Sequence, residues 1–179
     1  RESKKDFGEA DAPDVRDDKV MGNSLMFTAK DMGAPVPFEK PVWAYTYTEV
    51  DLTNSDHTEI TSGYWWIEVS GENIIANGDK IREELVKMLF GIWDHIKNIP
   101  GHNAENYVLD WIGALPGKRE SRRLTGDYVL TENDLTAKTV FPDTVAYGGW
   151  NMDMHEQGGM FSLHCDPTTY FSTDYIYPI

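Results

Sequence analysis

The strongest hydrophobic pattern in the chain predicts a helix from Asp79 to Asn98. Charged residues occupy the other face of this segment, while the apolar residues recur at helical spacing: Ile81, Leu85, Leu89, Ile92, Trp93 and Ile96. Asp79 can cap the start of the helix, and Pro100 prevents its continuation. His95 falls near the C-terminal end, where the helix dipole favours a cation, so a structural role is predicted for it.

Shorter patterns before and after this segment predict strands and two lesser helices. Strands are predicted at 24–30, 43–47, 63–69, 124–130 and 145–155, a second helix at 104–112, and a capping box that opens a short helix at Thr131–Asp134. Strands and helices that do not alternate regularly are typical of the α+β class. The predicted architecture is a mixed, largely antiparallel sheet with two or three helices packed on it, in a single domain over residues 1–179.

Composition and charge exclude several classes of partner. The formal net charge is -14, from 30 Asp and Glu against 16 Lys and Arg, which argues against nucleic acid because phosphate backbones require a basic surface. No apolar run approaches about 18 residues, so neither a transmembrane helix nor a membrane partner is expected. No signal peptide is predicted. The single cysteine, Cys165, excludes an internal disulfide framework.

A cluster of arginines in this acidic background is the best candidate for anion recognition. Arg119, Arg122 and Arg123 lie within five residues of one another, and the guanidinium fork suits carboxylates and phosphates. If Arg122 begins the predicted strand, Arg122 and Arg123 point to opposite faces, so at most two of the three serve one ligand. The alternative is that the arginines neutralise acidic residues such as Glu120 or Asp127.

A second stretch contains a candidate acid/base pair. In an extended backbone Asn151, Asp153 and His155 share one face, and a carboxylate beside a histidine suits proton transfer near neutral pH. A metal at Asp153 and His155 is the competing interpretation, but no third ligand is apparent nearby, so no metal site is predicted. His57 is interpreted as solvated and His102 as a loop residue. His164 and Cys165 are a weak candidate for a nucleophilic pair, because neighbouring residues point apart in a strand, and a hydrogen-bonded surface role for His155 remains open.

Several long motifs resemble a family of bacterial FAD-dependent oxidoreductases. The Arg-Glu-Ser-Arg-Arg block within residues 115–131 is similar to a block of that family, and the similarity continues through 141–150 and 153–155. Upstream, residues 64–68 and 91–97 also resemble its middle region. The resemblance therefore spans most of the chain and points to a family, although not to a substrate.

The resemblance implies a role beside a flavin. In such enzymes one half carries a glycine fingerprint and the FAD, and an inserted domain covers the flavin and shapes the substrate site. This sequence contains no Gly-x-Gly-x-x-Gly after a strand. It is therefore expected to be the inserted domain, inactive alone, with Arg1 and Ile179 near its junctions. Its implied partners are the flavin-binding domain of the same protein and a small-molecule substrate.

The implied site residues follow from the same motifs. Arg119, Arg122 and Arg123 are expected to hold an anionic group or to stabilise reduced flavin. His155, oriented by Asp153, is expected to move a proton. The FAD itself would be bound mainly by a domain that this chain does not contain.

Two interpretations from other classes remain at this point. Six tryptophans and nine tyrosines could form a stacking platform for carbohydrates in a non-catalytic binding module. The arginine cluster is unusual for a binder of neutral sugars and counts against this alternative. The other interpretation is a structural or interaction domain whose arginines form internal ion pairs.

Overall fold

The computed structural model describes most of the chain. The described residues are 2–8, 12–17, 21–61, 64, 66–70, 72–119, 124–148, 159–161 and 177–178. They fall in two compact units. The larger unit comprises Lys19–Ser121 and Gln157–Leu163, and the smaller unit comprises Arg1–Asp18, Arg122–Glu156 and His164–Ile179. Helices and small antiparallel sheets occur together, which confirms the α+β class.

A 21-residue helix, α2 (Gly78–Asn98), forms the centre of the larger unit and confirms the strongest prediction. Its apolar residues are almost completely buried, with Leu85, Leu89 and Ile92 at 0% exposure. The helix begins one residue earlier than predicted. Asn77 is the N-cap and Asp79 lies in the first turn, where a carboxylate interacts favourably with the helix dipole. The proposed cap at Asp79 was therefore wrong, although its effect on the helix start is similar.

Two antiparallel strand pairs belong to the same unit. Strand β1 (Asn23–Ser24) pairs with β3 (Glu68–Val69), and β2 (Phe27–Asp31) pairs with β4 (Tyr107–Ile112). Phe27 extends the core toward α2, since its ring centroid lies 6.1 Å from that of Trp93. The predicted strand at 24–30 is thus divided between two ladders, and Glu68–Val69 is the part of the predicted 63–69 strand that the structure describes as paired.

Strand β4 corrects the prediction of a second helix at 104–112. The six-residue run from Tyr107 to Ile112 is rich in aromatic and β-branched residues, and such short apolar runs do not distinguish helix from strand. Pairing with β2 satisfies its backbone groups, with a register shift between Thr28 and Ala29. Pairing with β2 determines that this segment is a strand, and the sequence of the segment alone does not reveal its pairing partner.

The predicted strand at 43–47 was also wrong, because this segment packs along α2 without a strand partner. The amide of Tyr45 donates to the carbonyl oxygen of Lys87 at 3.2 Å, and the ring centroid of Trp43 lies 5.1 Å from that of Phe90. Its aromatic alternation therefore reflects contact with a helix surface. Gly91 makes this close approach possible, since a Cβ there would overlap the carbonyl group of Tyr45 and lie 2.9 Å from Cε2 of Tyr47.

We expect Gly91→Ala to destabilise the larger unit by about 1–3 kcal/mol, because overpacking forces the 45–47 segment away from the helix. The matched control is Gly78→Ala in the same helix, where an added Cβ meets nothing within 4 Å. There the loss of glycine flexibility should stabilise the protein by up to about 1 kcal/mol. Urea denaturation of both variants measures the difference, and equal effects would contradict the close approach.

The smaller unit contains the elements α1 (Lys4–Phe7), α3 (Glu132–Ala137) and the antiparallel pair of β5 (Tyr147–Gly148) with β6 (Tyr177–Pro178). The predicted capping box is confirmed: the side chain of Thr131 accepts from the amide of Asp134, and the carboxylate of Asp134 accepts from the amide of Thr131 at 2.9 Å. A 3-10 turn at Gly159–Phe161 belongs to the larger unit.

The predicted strand at 124–130 is not formed. Leu124 is 91% exposed, and the segment is instead attached to the start of α3 by the hydroxyl of Tyr128, 2.9 Å from both carboxylate oxygens of Asp134. The prediction that Arg122 and Arg123 point to opposite faces assumed a strand in this segment. Residues 124–130 form no strand, so they do not support that prediction. Within the described part of the chain, no helix has the length and apolar character needed to span a bilayer.

Candidate functional site

Arg119 is the predicted site residue that the structure describes in most detail. Its Nη1 lies 3.1 Å from Oε2 of Glu68, whose side chain is only 2% exposed, whereas the arginine side chain is 29% exposed. Oε1 of Glu68 accepts from the amide of Gly22 at 3.1 Å. A buried carboxylate is costly without such partners, so Arg119 contributes to the folding of the β1 and β3 region.

Backbone pairing positions the start of the arginine stretch. Gly117 forms an isolated bridge with Ser24, with amide-to-carbonyl distances of 2.8 and 3.2 Å in the two directions. Gly117 thus pairs with the edge of β1 opposite to β3, and Arg119 follows two residues later. The sequence interpretation considered Glu120 or Asp127 as partners of the arginines, but the structure assigns Arg119 to Glu68, 51 positions earlier in the chain.

The other predicted site residues lie outside the described part of the chain. These are Arg122, Arg123, Asp153 and His155. The assignments of the arginines to cofactor binding and of the Asp153 and His155 pair to proton transfer therefore stay predictions.

Four residues that were not predicted to act together meet in the larger unit, and we call them the histidine cluster: Glu49, His57, His95 and His102. One ligand atom from each lies within 4.8 Å of those of the others. Oε1 of Glu49 is 3.1 Å from Nε2 of both His95 and His102, and Oε2 is 3.5 Å from Nε2 of His57. The three histidine side chains are almost buried, at 11, 1 and 10% exposure in chain order.

Backbone carbonyl groups fix two of the rings. Nδ1 of His95 donates to the carbonyl oxygen of Tyr47 at 3.1 Å, and Nδ1 of His57 donates to that of Ser55 at 2.6 Å. The loop that carries His57 is itself held by Nε1 of Trp66, which donates to the carbonyl oxygen of Asp56 at 2.9 Å. The interpretation of His57 as solvated was therefore wrong. His102 does lie in a turn, as predicted, but its ring is packed against the other two.

The electrostatics of the histidine cluster favour neutral imidazole at His102. Burial lowers the pKa of His102, and positive charge on His57 and His95 lowers it further. Burial raises the pKa of the Glu49 carboxyl, but its contact with His95 and the charges of the three histidines outweigh this, so the pKa is lowered overall. A carboxylate surrounded by imidazole nitrogens is a donor set suited to transition metals.

An apolar cleft of about 490 Å³ lies in the same unit, between the 36–38 segment, α2 and β4. Phe90, Trp93 and Trp111 contribute aromatic surface to it. Lys97 borders the cleft and donates to the carbonyl oxygens of Ala104, Glu105 and Tyr107 at 2.7–2.8 Å. Burial lowers the pKa of Lys97. The volume is within the range of small-molecule sites, roughly 300–1,000 Å³.

Comparison with known proteins gives one informative match. A family model described as FAD dependent oxidoreductase matches residues 3–179, which is nearly the whole chain. The chain belongs to the FAD dependent oxidoreductase family. No curated protein and no solved structure matches it.

Membership of the FAD dependent oxidoreductase family confirms the resemblance that the motifs indicated and relates the protein to flavin chemistry. It does not account for the histidine cluster, which sequence reasoning also missed. One signal was present: His95 follows Ile92 by three residues and precedes Ile96, so it lies on the buried face of α2. A histidine there requires buried polar partners.

Proposed function

We propose that this chain is the domain of a FAD dependent oxidoreductase that covers the flavin and shapes the substrate site for hydride transfer. The observation that supports this most is the family match over residues 3–179 in a sequence that contains no Gly-x-Gly-x-x-Gly fingerprint. In flavoenzymes the cofactor carries the hydride, and the protein supplies binding, orientation and charge.

FAD is bound mainly by another domain in this proposal. A dinucleotide pyrophosphate is typically held at a helix N-terminus after a glycine-rich turn, where backbone amides and the helix dipole favour the anion. The long helix α2 begins at Gly78 after Asn77 and lacks this fingerprint. The flavin-binding domain of the same protein and a small-molecule substrate are accordingly the proposed partners.

The arginine stretch forms the flavin side of the proposed site. The ion pair with Glu68 uses Nη1 of Arg119, and a guanidinium has five N–H donors, so the same side chain has the capacity to hold a second anion. Arg122 and Arg123 supply further positive charge near the reduced flavin, which is more negative than the oxidised form. His155, oriented by Asp153, transfers the proton that accompanies hydride transfer.

The apolar cleft supports a substrate-side role for this domain. Its aromatic walls suit a small molecule with apolar surface, as in most ligand sites. The carbohydrate-binding alternative is not favoured, because the family match points to a flavoprotein.

Flavin potential and reduction rate in the full-length protein test this proposal. We expect Arg122→Ala to lower the flavin reduction potential by on the order of 30 mV, equivalent to about 1.4 kcal/mol for two electrons, because positive charge stabilises reduced flavin. His155→Ala should slow flavin reduction by roughly 100-fold or more through loss of the proton donor or acceptor.

The matched control is Lys118→Ala, which removes an exposed positive charge one residue before Arg119. It should leave both quantities nearly unchanged. The site assignment would be wrong if Arg122→Ala and His155→Ala left the potential and the reduction rate at their wild-type values. Full-length protein that purified without flavin and bound none on reconstitution would contradict the functional proposal as a whole.

A further inference from the structure

Three segments of the larger unit converge on one carboxylate. Glu49 and His57 come from the loop that precedes β3, His95 comes from the last turns of α2, and His102 comes from the turn after that helix. The family assignment and the proposed flavin role make no use of this histidine cluster. Three of the five histidines in the chain therefore lie together in a cluster to which the proposed flavin role assigns no task.

The ring tautomers direct lone pairs at the carboxylate. A carbonyl oxygen only accepts hydrogen bonds, so Nδ1 of His57 and Nδ1 of His95 carry the ring hydrogens in the neutral imidazoles. Their Nε2 atoms then present lone pairs toward the carboxylate of Glu49, which is also an acceptor. Acceptors that face one another repel unless a cation lies between them.

Two lone pairs, those on Nε2 of His57 and of His95, are opposed to the carboxylate in this arrangement. The ring centroids of these two histidines are 5.4 Å apart, so a proton on both Nε2 atoms would place two imidazolium cations side by side. Like charges at such distances repel strongly where water is partly excluded. A single divalent cation instead accepts all the lone pairs at once and is attracted by the carboxylate.

The spacing matches a tetrahedral metal site. With metal–nitrogen and metal–oxygen bonds of about 2.0–2.1 Å, the ligand atoms of a tetrahedron are about 3.4 Å apart. Oε1 of Glu49 lies 3.1 Å from Nε2 of both His95 and His102, and the other oxygen of this carboxylate, Oε2, lies 3.5 Å from Nε2 of His57. All four ligand atoms lie within 4.8 Å of one another, so the longest separations would contract by up to about 1.4 Å when an ion binds.

We propose that Glu49, His57, His95 and His102 bind a divalent transition metal, with Zn²⁺ as the ion that fits best. Three imidazole nitrogens and one carboxylate oxygen form a donor set that suits zinc, whereas Ca²⁺ and Mg²⁺ prefer oxygen ligands. The carbonyl oxygens of Tyr47 and Ser55 supply the outer hydrogen bonds that orient metal-binding histidines.

The proposed ion has a structural role. Four protein ligands complete a tetrahedral shell, whereas catalytic zinc sites keep one position open. The ion would join the loop from Tyr47 to His57 to the end of α2 and to the turn after it. This loop contains no regular strand or helix, and a metal that closes it stabilises the folded state by mass action.

Metal titration of the 179-residue chain tests the proposal. After removal of metal with a chelator, Zn²⁺ should bind at one ion per chain and raise Tm, whereas Mg²⁺ at the same concentration should do neither. Co²⁺ should give the intense visible absorption of a four-coordinate site. We expect His102→Ala and Glu49→Gln each to weaken Zn²⁺ binding by about 100-fold or more, since loss of outer hydrogen bonds alone costs 10–100-fold.

The matched control for Glu49→Gln is Glu39→Gln, which changes an exposed glutamate in the same unit and should bind Zn²⁺ as the wild type does. His102→Ala and Glu49→Gln are preferred to a change at His95, because His95 is fully buried in the core face of α2 and its loss could unfold the protein. Far-UV circular dichroism of each variant without metal verifies the fold.

Absence of stoichiometric Zn²⁺ binding by the wild type would overturn the proposal. Equal Zn²⁺ affinity in the wild type and both ligand variants would do so too. Neither result bears on the flavin potentials that test the proposed function.

Discussion

Leu89→Ala is expected to lower the free energy of unfolding of the larger unit by about 2–5 kcal/mol. Leu89 lies at the centre of the buried face of α2 and is 0% exposed. Its truncation removes apolar contact from a core that includes Trp93 and Phe27 and leaves a cavity that the aromatic neighbours fill only partly. Urea denaturation followed by tryptophan fluorescence gives the change directly.

The matched control is Leu115→Ala, the same substitution at a residue of the same unit that is 81% exposed. Surface changes of this kind usually alter stability by less than about 0.5 kcal/mol. Similar costs for the two substitutions would show that α2 is not the core of this unit. A change in the slope of the unfolding free energy against urea concentration, without a shift of the midpoint, would indicate an altered denatured state.

Arg119→Ala is expected to destabilise the larger unit by about 2–4 kcal/mol. The substitution removes the guanidinium of Arg119 from the carboxylate of Glu68, which is only 2% exposed and also accepts from the amide of Gly22. The arginine itself is partly exposed, which places the cost below that of a fully buried ion pair. Arg119→Lys should retain part of the stability, since it keeps the charge and loses the planar fork.

The control for this prediction is Lys118→Ala, which removes a positive charge from the neighbouring residue and should change stability by less than about 0.5 kcal/mol. The double variant Glu68→Gln/Arg119→Ala should be more stable than Arg119→Ala alone, because glutamine is cheaper to bury without a counter-charge. If the double variant were less stable by the sum of the two single costs, the ion pair would not be the cause of the effect.

Local signals in the sequence correctly predicted the long helix α2 and the capping box of α3. The periodic apolar residues specify α2, and Thr131 with Asp134 specifies the start of α3, because in both cases the determining contacts lie within a few residues. The long motifs likewise predicted the family, whose model matches residues 3–179.

Contacts between distant residues explain the misses. Strand β4 exists because β2 pairs with it, and the 43–47 segment packs along α2 because Gly91 permits close approach. The partner of Arg119 is 51 positions away. The histidine cluster joins residues from three segments, and no single segment contains a recognisable metal motif. In each case a short window of sequence does not contain the partner.

The central claim is that FAD is bound mainly by another domain of the full-length protein and not by this chain. Equilibrium dialysis with FAD tests it most directly. Full-length protein should bind one FAD and show flavin absorbance near about 450 nm, whereas the 179-residue chain should show no stoichiometric binding because its sequence contains no glycine-rich pyrophosphate fingerprint. One tightly bound FAD per 179-residue chain would contradict the account.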